Sequence, residues 1–244
     1  MILTIDAGNT RIKGAVFEQH TLVDTFVFET ETLQEKISKI LNENGNITDI
    51  VIASVGKAAF EEFLIFSERV NVRTISHQDV FPFKNLYETP LTLGIDRMVL
   101  AAGAVLAYPG DNRLVIDAGT CITYDFVNDQ DEYLGGAISP GIRLRYKGLH
   151  QFTAKLPLLE RQDPQNFIGK STNEAIHSGV INGVLHEIDG FIAQYQAQCP
   201  KFTIILTGGD AEFLAKQLKN TIFANSNFLL ESLNHIFHYT NQND

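Results

Sequence analysis

A chain of 244 residues, 44% of them hydrophobic and 20% charged, is long enough to bury one large core or two smaller ones, and its composition is that of a soluble globular protein. Its formal net charge of −10 opposes general affinity for nucleic acid, which needs clustered Lys and Arg, but still allows a small anion held by a few backbone amides. The longest apolar run, Met98 to Ala107, is too short to cross a bilayer. No basic segment precedes the first apolar stretch and Asp6 interrupts it, so neither a membrane span nor a secretory signal is expected and the location expected is cytoplasmic.

The chain opens with Ile2-Leu3-Thr4-Ile5-Asp6-Ala7-Gly8-Asn9-Thr10, a short apolar run that stops at a carboxylate, a small residue, a glycine and a hydroxyl residue. Lys13–Phe17 and Leu22–Phe28 then predict further strands of a hairpin sheet. Leu33–Asn42 predicts an amphipathic helix with its apolar positions at Leu33, Ile37, Ile40 and Leu41. The segment Asp49 to Gly56 predicts a strand ending in small residues. Tyr87 reads as a half-buried aromatic with a ligand contact open to it. From Leu91 to Arg97 the chain leads into a helix of small residues that Pro109-Gly110 stops, with Asp96 and Arg97 in its first turn. Asp96 there either compensates the helix dipole beside a solvated Arg97, or the two form a pair that accepts a hydroxyl proton and binds an anion.

The opening device returns as Leu114-Val115-Ile116-Asp117-Ala118-Gly119-Thr120. Two matched copies predict two phosphate-facing hairpins, because glycine lets backbone N–H groups approach phosphate oxygens while Thr10 and Thr120 add hydroxyls. Asp6 or Asp117 can hold a hydrated cation. Gly135 to Gly141 is open to two readings, a turn or a stretch that lines a ligand or lets two backbones pass closely. Ser171-Thr172-Asn173-Glu174 predicts the capped start of a helix running to Gly179. Gly169-Lys170-Ser171 is not a P-loop, because Pro164 stands where that pattern requires glycine. Phe202 to Asp210 predicts a buried strand ending in glycine, the counterpart of Asp49 to Gly56. The repeat therefore predicts an α/β fold of two related lobes, divided near residues 112 and 113, the second carrying an insertion from about Gly135 to Gln198. Cys121 and Cys199 read as reduced core thiols, His235 and His238 as surface residues of the last element, and Asn241 to Asp244 as a frayed tail.

The duplicated Asp-Ala-Gly hairpin and the late Thr207-Gly208-Gly209-Asp210 strand end resemble the actin, Hsp70 and sugar kinase superfamily. Within it, one ordered set of motifs is similar to type III pantothenate kinase. The set comprises Asp6 to Thr10 with Lys13, Tyr87 ahead of Gly94-Ile95-Asp96-Arg97, Asp117 to Thr120, Gly135 to Gly141, Thr153 to Pro157, and Gly169 to Thr172 through Ser178-Gly179. Two segments depart from the family pattern: Ser232 stands where glycine is usual, and Arg143 to Lys147 is unusually basic.

The resemblance implies two ribonuclease H-like lobes with ATP in the cleft between them. It implies transfer of the ATP γ-phosphoryl group to pantothenate, giving 4'-phosphopantothenate in the first step of coenzyme A synthesis. Carried over by position, Asp6, Ala7, Gly8, Asn9, Thr10, Arg11, Ile12 and Lys13 would meet the ATP phosphates, with Asp6 positioning Mg²⁺, and Thr120 would bind nucleotide. Asp96 would accept the hydroxyl proton. Tyr87, Gly94, Ile95, Asp96, Arg97 and Thr172 would hold pantothenate, and Asp117 the monovalent cation, potassium or ammonium. The same resemblance implies a homodimer. The alternatives are another small-molecule kinase of the superfamily and a non-catalytic regulatory protein; neither nucleic acid nor membrane is expected as a partner.

Overall fold

The computed structural model describes all residues except 9–10, 55–60, 221 and 244. The expectations on Asn9, Thr10, Val55, Gly56 and Asp244 fall outside these residues. Contacts group the chain into two compact units: Met1–Pro109 with Gln130–Tyr133 and Asn227–Asp244, and Gly110–Asp129 with Leu134–Ser226.

In the first unit β1 (Ile2–Ala7), β2 (Ile12–Glu18) and β3 (Thr21–Phe28) form an antiparallel meander, and β4 (Asp49–Ser54) and β5 (Asn71–Thr74) continue it in parallel, giving the order β3-β2-β1-β4-β5. Alternation along β1 and β4 sends Leu3, Ile5, Ile50 and Ile52 to one face. There α1 (Leu33–Glu43) covers them with Leu33, Ile37, Ile40 and Leu41, the four positions that the 3.6-residue period marks. On the other face Ala15 and Phe17 cluster with Leu230. The short β6 (Lys84–Asn85) pairs with Glu132 and Tyr133, and α2 (Ile95–Ala107) is buried over most of its length, as its small and apolar residues allow.

The second unit repeats the scheme. β7 (Arg113–Ala118) pairs antiparallel with β8 (Cys121–Val127), β9 (Glu132–Pro140) follows, and β10 (Thr203–Thr207) adds in parallel to β7 with β11 (Phe223–Ala224) beyond it. β1 and β7 have the same burial pattern, buried throughout except at Asp6 and Asp117. After β9 come α3 (Ile142–Gln151), α4 (Thr172–Gln198) and the short α5 (Ala211–Ala215); α6 (Phe228–Asn243) belongs to the first unit.

Several local expectations change. The helix that begins at Ser171 does not end at Gly179 but runs to Gln198, because Ile176, Val180, Ile181, Val184, Ile188 and Ile192 bury against the second core and outweigh the glycines within it. Gly135 to Pro140 is strand, not turn: a Cβ on Gly136 would stand 1.5 Å from the Tyr124 carbonyl oxygen, so glycine serves the close passage of two backbones. Asn241 to Asn243 continue a helix instead of fraying. Cys121 is exposed at the start of β8, though both cysteines are free thiols. His235 is half-buried with its ring 5.9 Å from that of His20, and burial and the neighbouring imidazoles of His20 and His238 lower its pKa.

Candidate active site

In the first unit, register places Asp6 opposite Lys13 on β2 and Ala53 on β4, at the end of the strand. Burial pushes the Asp6 carboxyl up to about 6; Lys13 opposes this and the charge of Asp96 adds to it. Asp6 and Asp96, ninety residues apart in sequence, are thus electrostatic neighbours. Ala7 is buried opposite Ile12, Gly8 follows the strand, and Arg11 is exposed.

Asp96 sits in the first turn of α2, where its Oδ1 accepts the Arg97 backbone N–H at 2.9 Å. A Cβ on Gly94 would lie 2.4 Å from that oxygen, so the glycine makes room for the carboxylate over the helix start. Ile95, the first residue of α2, is half-buried. Arg97 is not the solvated neighbour of the dipole reading: it is 6% exposed, and its guanidinium carbon lies 5.8 Å from the centre of the half-buried Tyr87 ring.

Two residues that the sequence did not single out hold this arrangement. Tyr133 is fully buried edge-on to Tyr87 at 6.1 Å, and its carbonyl accepts the Leu86 N–H. His77 Nε2 is 2.8 Å from the Leu93 carbonyl, anchoring the approach to Gly94. Neither carries a local signal, since both act across long sequence separations.

In the second unit Asp117 holds the position of Asp6, but register sets it between Thr123 on β8 and Thr207 on β10, both buried. Thr123 donates to the fully buried Asp125 at 3.0 Å, so oxygen groups gather where the first copy has Lys13 and alanine. Gly208, at φ 94°, lays its backbone against Asp117, and the Asp210 N–H donates to the Ala118 carbonyl at 2.9 Å. The Asp210 carboxylate pairs with Arg161. The turn between β7 and β8 is closed by the Gly119 N–H donating to the Cys121 carbonyl at 2.9 Å, which leaves Thr120 at its tip. Thr172 is exposed at the first position of α4, where Ser171 Oγ accepts the Glu174 N–H.

The structure therefore brings Asp6, Lys13, Tyr87, Gly94, Ile95, Asp96 and Arg97 into the first unit, and Asp117, Thr120 and Thr172 into the second. Among the described residues no three His, Cys, Asp or Glu side chains group as a metal-binding cluster.

Comparison with known proteins agrees with this frame. A ROK family glucokinase from Streptomyces griseus, solved in complex with glucose and AMPPNP, superposes with a TM-score of 0.55 at 11% identity, over 99% of each chain. A Campylobacter jejuni protein ascribed to a Baf family of transcriptional activators gives 0.64 at 22% identity, over 99% of this chain and 100% of that one. These two share the fold, the α/β arrangement expected from the repeat. A type III pantothenate kinase from Flavobacterium johnsoniae is 61% identical over 244 residues, the whole of both chains. The family model for type III pantothenate kinase matches residues 2–194, and the chain belongs to that family.

Proposed function

We propose that this chain transfers the γ-phosphoryl group of ATP to the primary hydroxyl of pantothenate, giving 4'-phosphopantothenate for coenzyme A synthesis. The observation that carries the reading is the placement of the strand-end Asp6 and the helix-start Asp96 in one unit, with a buried Arg97 lying against Tyr87 next to Asp96. Phosphoryl transfer asks mainly for positioning and charge neutralisation, and the parts divide accordingly. Asp96 accepts the hydroxyl proton, which need leave only late in a loose transition state. Arg97 faces the pantothenate carboxylate, with Tyr87, Gly94 and Ile95 beside it in the first unit, and Thr172 also binds pantothenate.

Residues 6–13 hold the ATP phosphates, and Thr120 binds nucleotide. Two neighbouring carboxylates, one with its pKa raised by burial and the other's charge, fit Mg²⁺, for which Asp6 is the protein ligand. The ion supplies neutralisation of phosphate charge. Asp117, flanked by Thr123 and Thr207, fits a monovalent cation, potassium or ammonium, because its neighbours are hydroxyls and not an ammonium group. The reading includes a homodimer whose partner completes the pantothenate pocket, and a cytoplasmic setting. Among the described residues no helix is long and apolar enough to cross a membrane.

The deciding measurement is ADP release by the purified chain with pantothenate, sugars, glycerol or no acceptor. Release that depends on pantothenate and yields phosphopantothenate supports the assignment. Equal release without an acceptor, or with a sugar alone, overturns it.

A further inference from the structure

The basic segment after Pro140-Gly141, Arg143 to Lys147, has one side chain tied into the second unit. Arg145 on α3 donates from Nε to the Pro140 carbonyl at 2.8 Å, and from one terminal nitrogen to Ser139 Oγ at 2.9 Å and to Glu187 Oε2 at 2.6 Å. Glu187, on α4, also accepts the Tyr124 hydroxyl at 3.0 Å. The guanidinium fork thus fixes the end of β9 against a helix that starts more than thirty residues later in the chain.

That strand end touches the nucleotide turn. The Gly141 N–H donates to the Thr120 carbonyl at 3.0 Å. A Cβ at position 141 would lie 2.2 Å from the Gly119 carbonyl oxygen and 2.6 Å from that of Thr120, so the two backbones are in direct contact. A continuous path therefore runs from Glu187 through Arg145, Ser139-Pro140 and Gly141 to Gly119-Thr120. Arg145 and its other hydrogen bonds hold the Glu187 carboxyl below its ordinary range against the effect of burial, as a persistent ion pair requires.

We propose that Arg145 is a positioning residue for ATP: clamped by Glu187, it sets the Ser139-Pro140-Gly141 segment and through it the Gly119-Thr120 turn. The proposal rests on the reading above in which Thr120 binds nucleotide. It does not involve the pantothenate residues Tyr87 to Arg97, and Thr172 stands at the start of α4, about 22 Å of helix from Glu187. Side-chain exposures of 21% and 24% leave the pair partly screened, so its loss should disturb the turn before it unfolds the unit.

The test uses the full chain and compares wild type with Arg145→Gln, Arg145→Lys and Glu187→Gln. Three quantities are read: KM for ATP, KM for pantothenate, and the Kd of a non-hydrolysable ATP analogue. Arg145→Gln is expected to raise the ATP KM and the analogue Kd about tenfold, the range of one or two charge-assisted hydrogen bonds, while the pantothenate KM stays within about twofold. Arg145→Lys should recover part of the loss, because a single ammonium reaches Glu187 but cannot serve three acceptors in a planar fork. Should Arg145→Gln fail to fold, Glu187→Gln carries the same measurement.

An unchanged analogue Kd in the folded variants overturns the proposal, as does an equal rise of both KM values. If the wild type binds the analogue but does not phosphorylate pantothenate, the substrate assignment falls and the Kd series still decides the role of Arg145. A wild-type chain that binds no ATP analogue overturns both.

Discussion

Gly208 lays its backbone on the carboxylate of Asp117, so closely that a Cβ would stand 2.3 Å from Oδ1. With φ at 94° the position suits glycine twice over, in conformation and in space. The result is a carboxylate with backbone laid against it and with Thr123 and Thr207 as its register partners on the neighbouring strands, where its counterpart Asp6 is paired with Lys13. The two copies of one motif therefore have different neighbours, and the proposed reading gives them different ions. Asp117→Asn is expected to weaken activation by potassium selectively, with excess potassium recovering part of the activity, because removing one formal charge from an oxygen-lined site mainly lowers cation occupancy. Asp6→Asn should gain nothing from potassium. Titrating both cations against each variant checks this, and a potassium response of Asp117→Asn equal to wild type rules out the cation role.

Asp96 is held over the start of α2 by the Arg97 N–H and by the space that Gly94 leaves. Asp96→Asn keeps that hydrogen bond, so the fold and ligand binding should persist while turnover falls by about 10² to 10⁴, the usual contribution of general base assistance. Single-turnover kinetics on the folded variant read the effect directly. Turnover near wild type would return Asp96 to dipole compensation.

The parts of this molecule that could be read from sequence are those whose information is local. The strands ending at Asp6 and Asp117 announce themselves by apolar runs stopped at Asp-Ala-Gly, and α1 by four apolar positions at helical spacing that are the four buried residues. What stayed hidden depends on tertiary contact. Gly135 to Gly141 stays open between a turn and a close passage of backbones until the Tyr124 backbone is seen passing over Gly136, and α4 looks short because Gly179, Gly183 and Gly190 weaken it locally while its buried stripe holds it together. Arg97 reads either as solvated or as paired with Asp96, and only its burial against Tyr87 removes the first reading; Arg143 to Lys147 reads only as unusually basic, and the tie from Arg145 to Glu187, 42 residues away, is invisible to that reading. No pattern along the chain encodes such distant pairs.

The raised pKa of Asp6 makes a stability prediction of opposite sign to its functional one. The folded state holds the Asp6 proton to about pH 6, whereas an unfolded carboxyl releases it near 3.8, so between these values the folded state binds more protons. Stability therefore falls as pH rises through that window, and the full penalty remains above it. In the ligand-free protein, Asp6→Asn should gain up to about 3 kcal/mol at pH 8 and show no difference from wild type below about pH 3.8. Activity should be lost at the same time. Denaturant unfolding across pH gives the result, and a variant no more stable than wild type at pH 8 would show that burial does not tax this carboxylate.

Helices α2 and α6 meet at Gly103 and Ser232, and the fit leaves no room for a larger pair. A Cβ on Gly103 would stand 1.8 Å from Ser232 Oγ and 2.4 Å from its Cβ, and the fully buried hydroxyl donates to the Phe228 carbonyl at 2.6 Å within its own helix. Ser232 thus fills the space that the absent side chain at 103 provides. Gly103→Ala should be destabilising by about 1–3 kcal/mol, since overpacking outweighs the gain in helix propensity, which is at most about 1 kcal/mol. Ser232→Gly alone should cost about 1 kcal/mol, through a glycine in a helix interior and a small void. If the two positions are matched, the double variant Gly103→Ala/Ser232→Gly must be more stable than the sum of the single losses predicts, because the glycine at 232 opens the space that the new methyl needs. A double-mutant cycle by denaturant unfolding measures that coupling. Additive losses would mean that the helices move apart to absorb the methyl group and that the contact is looser than its geometry indicates.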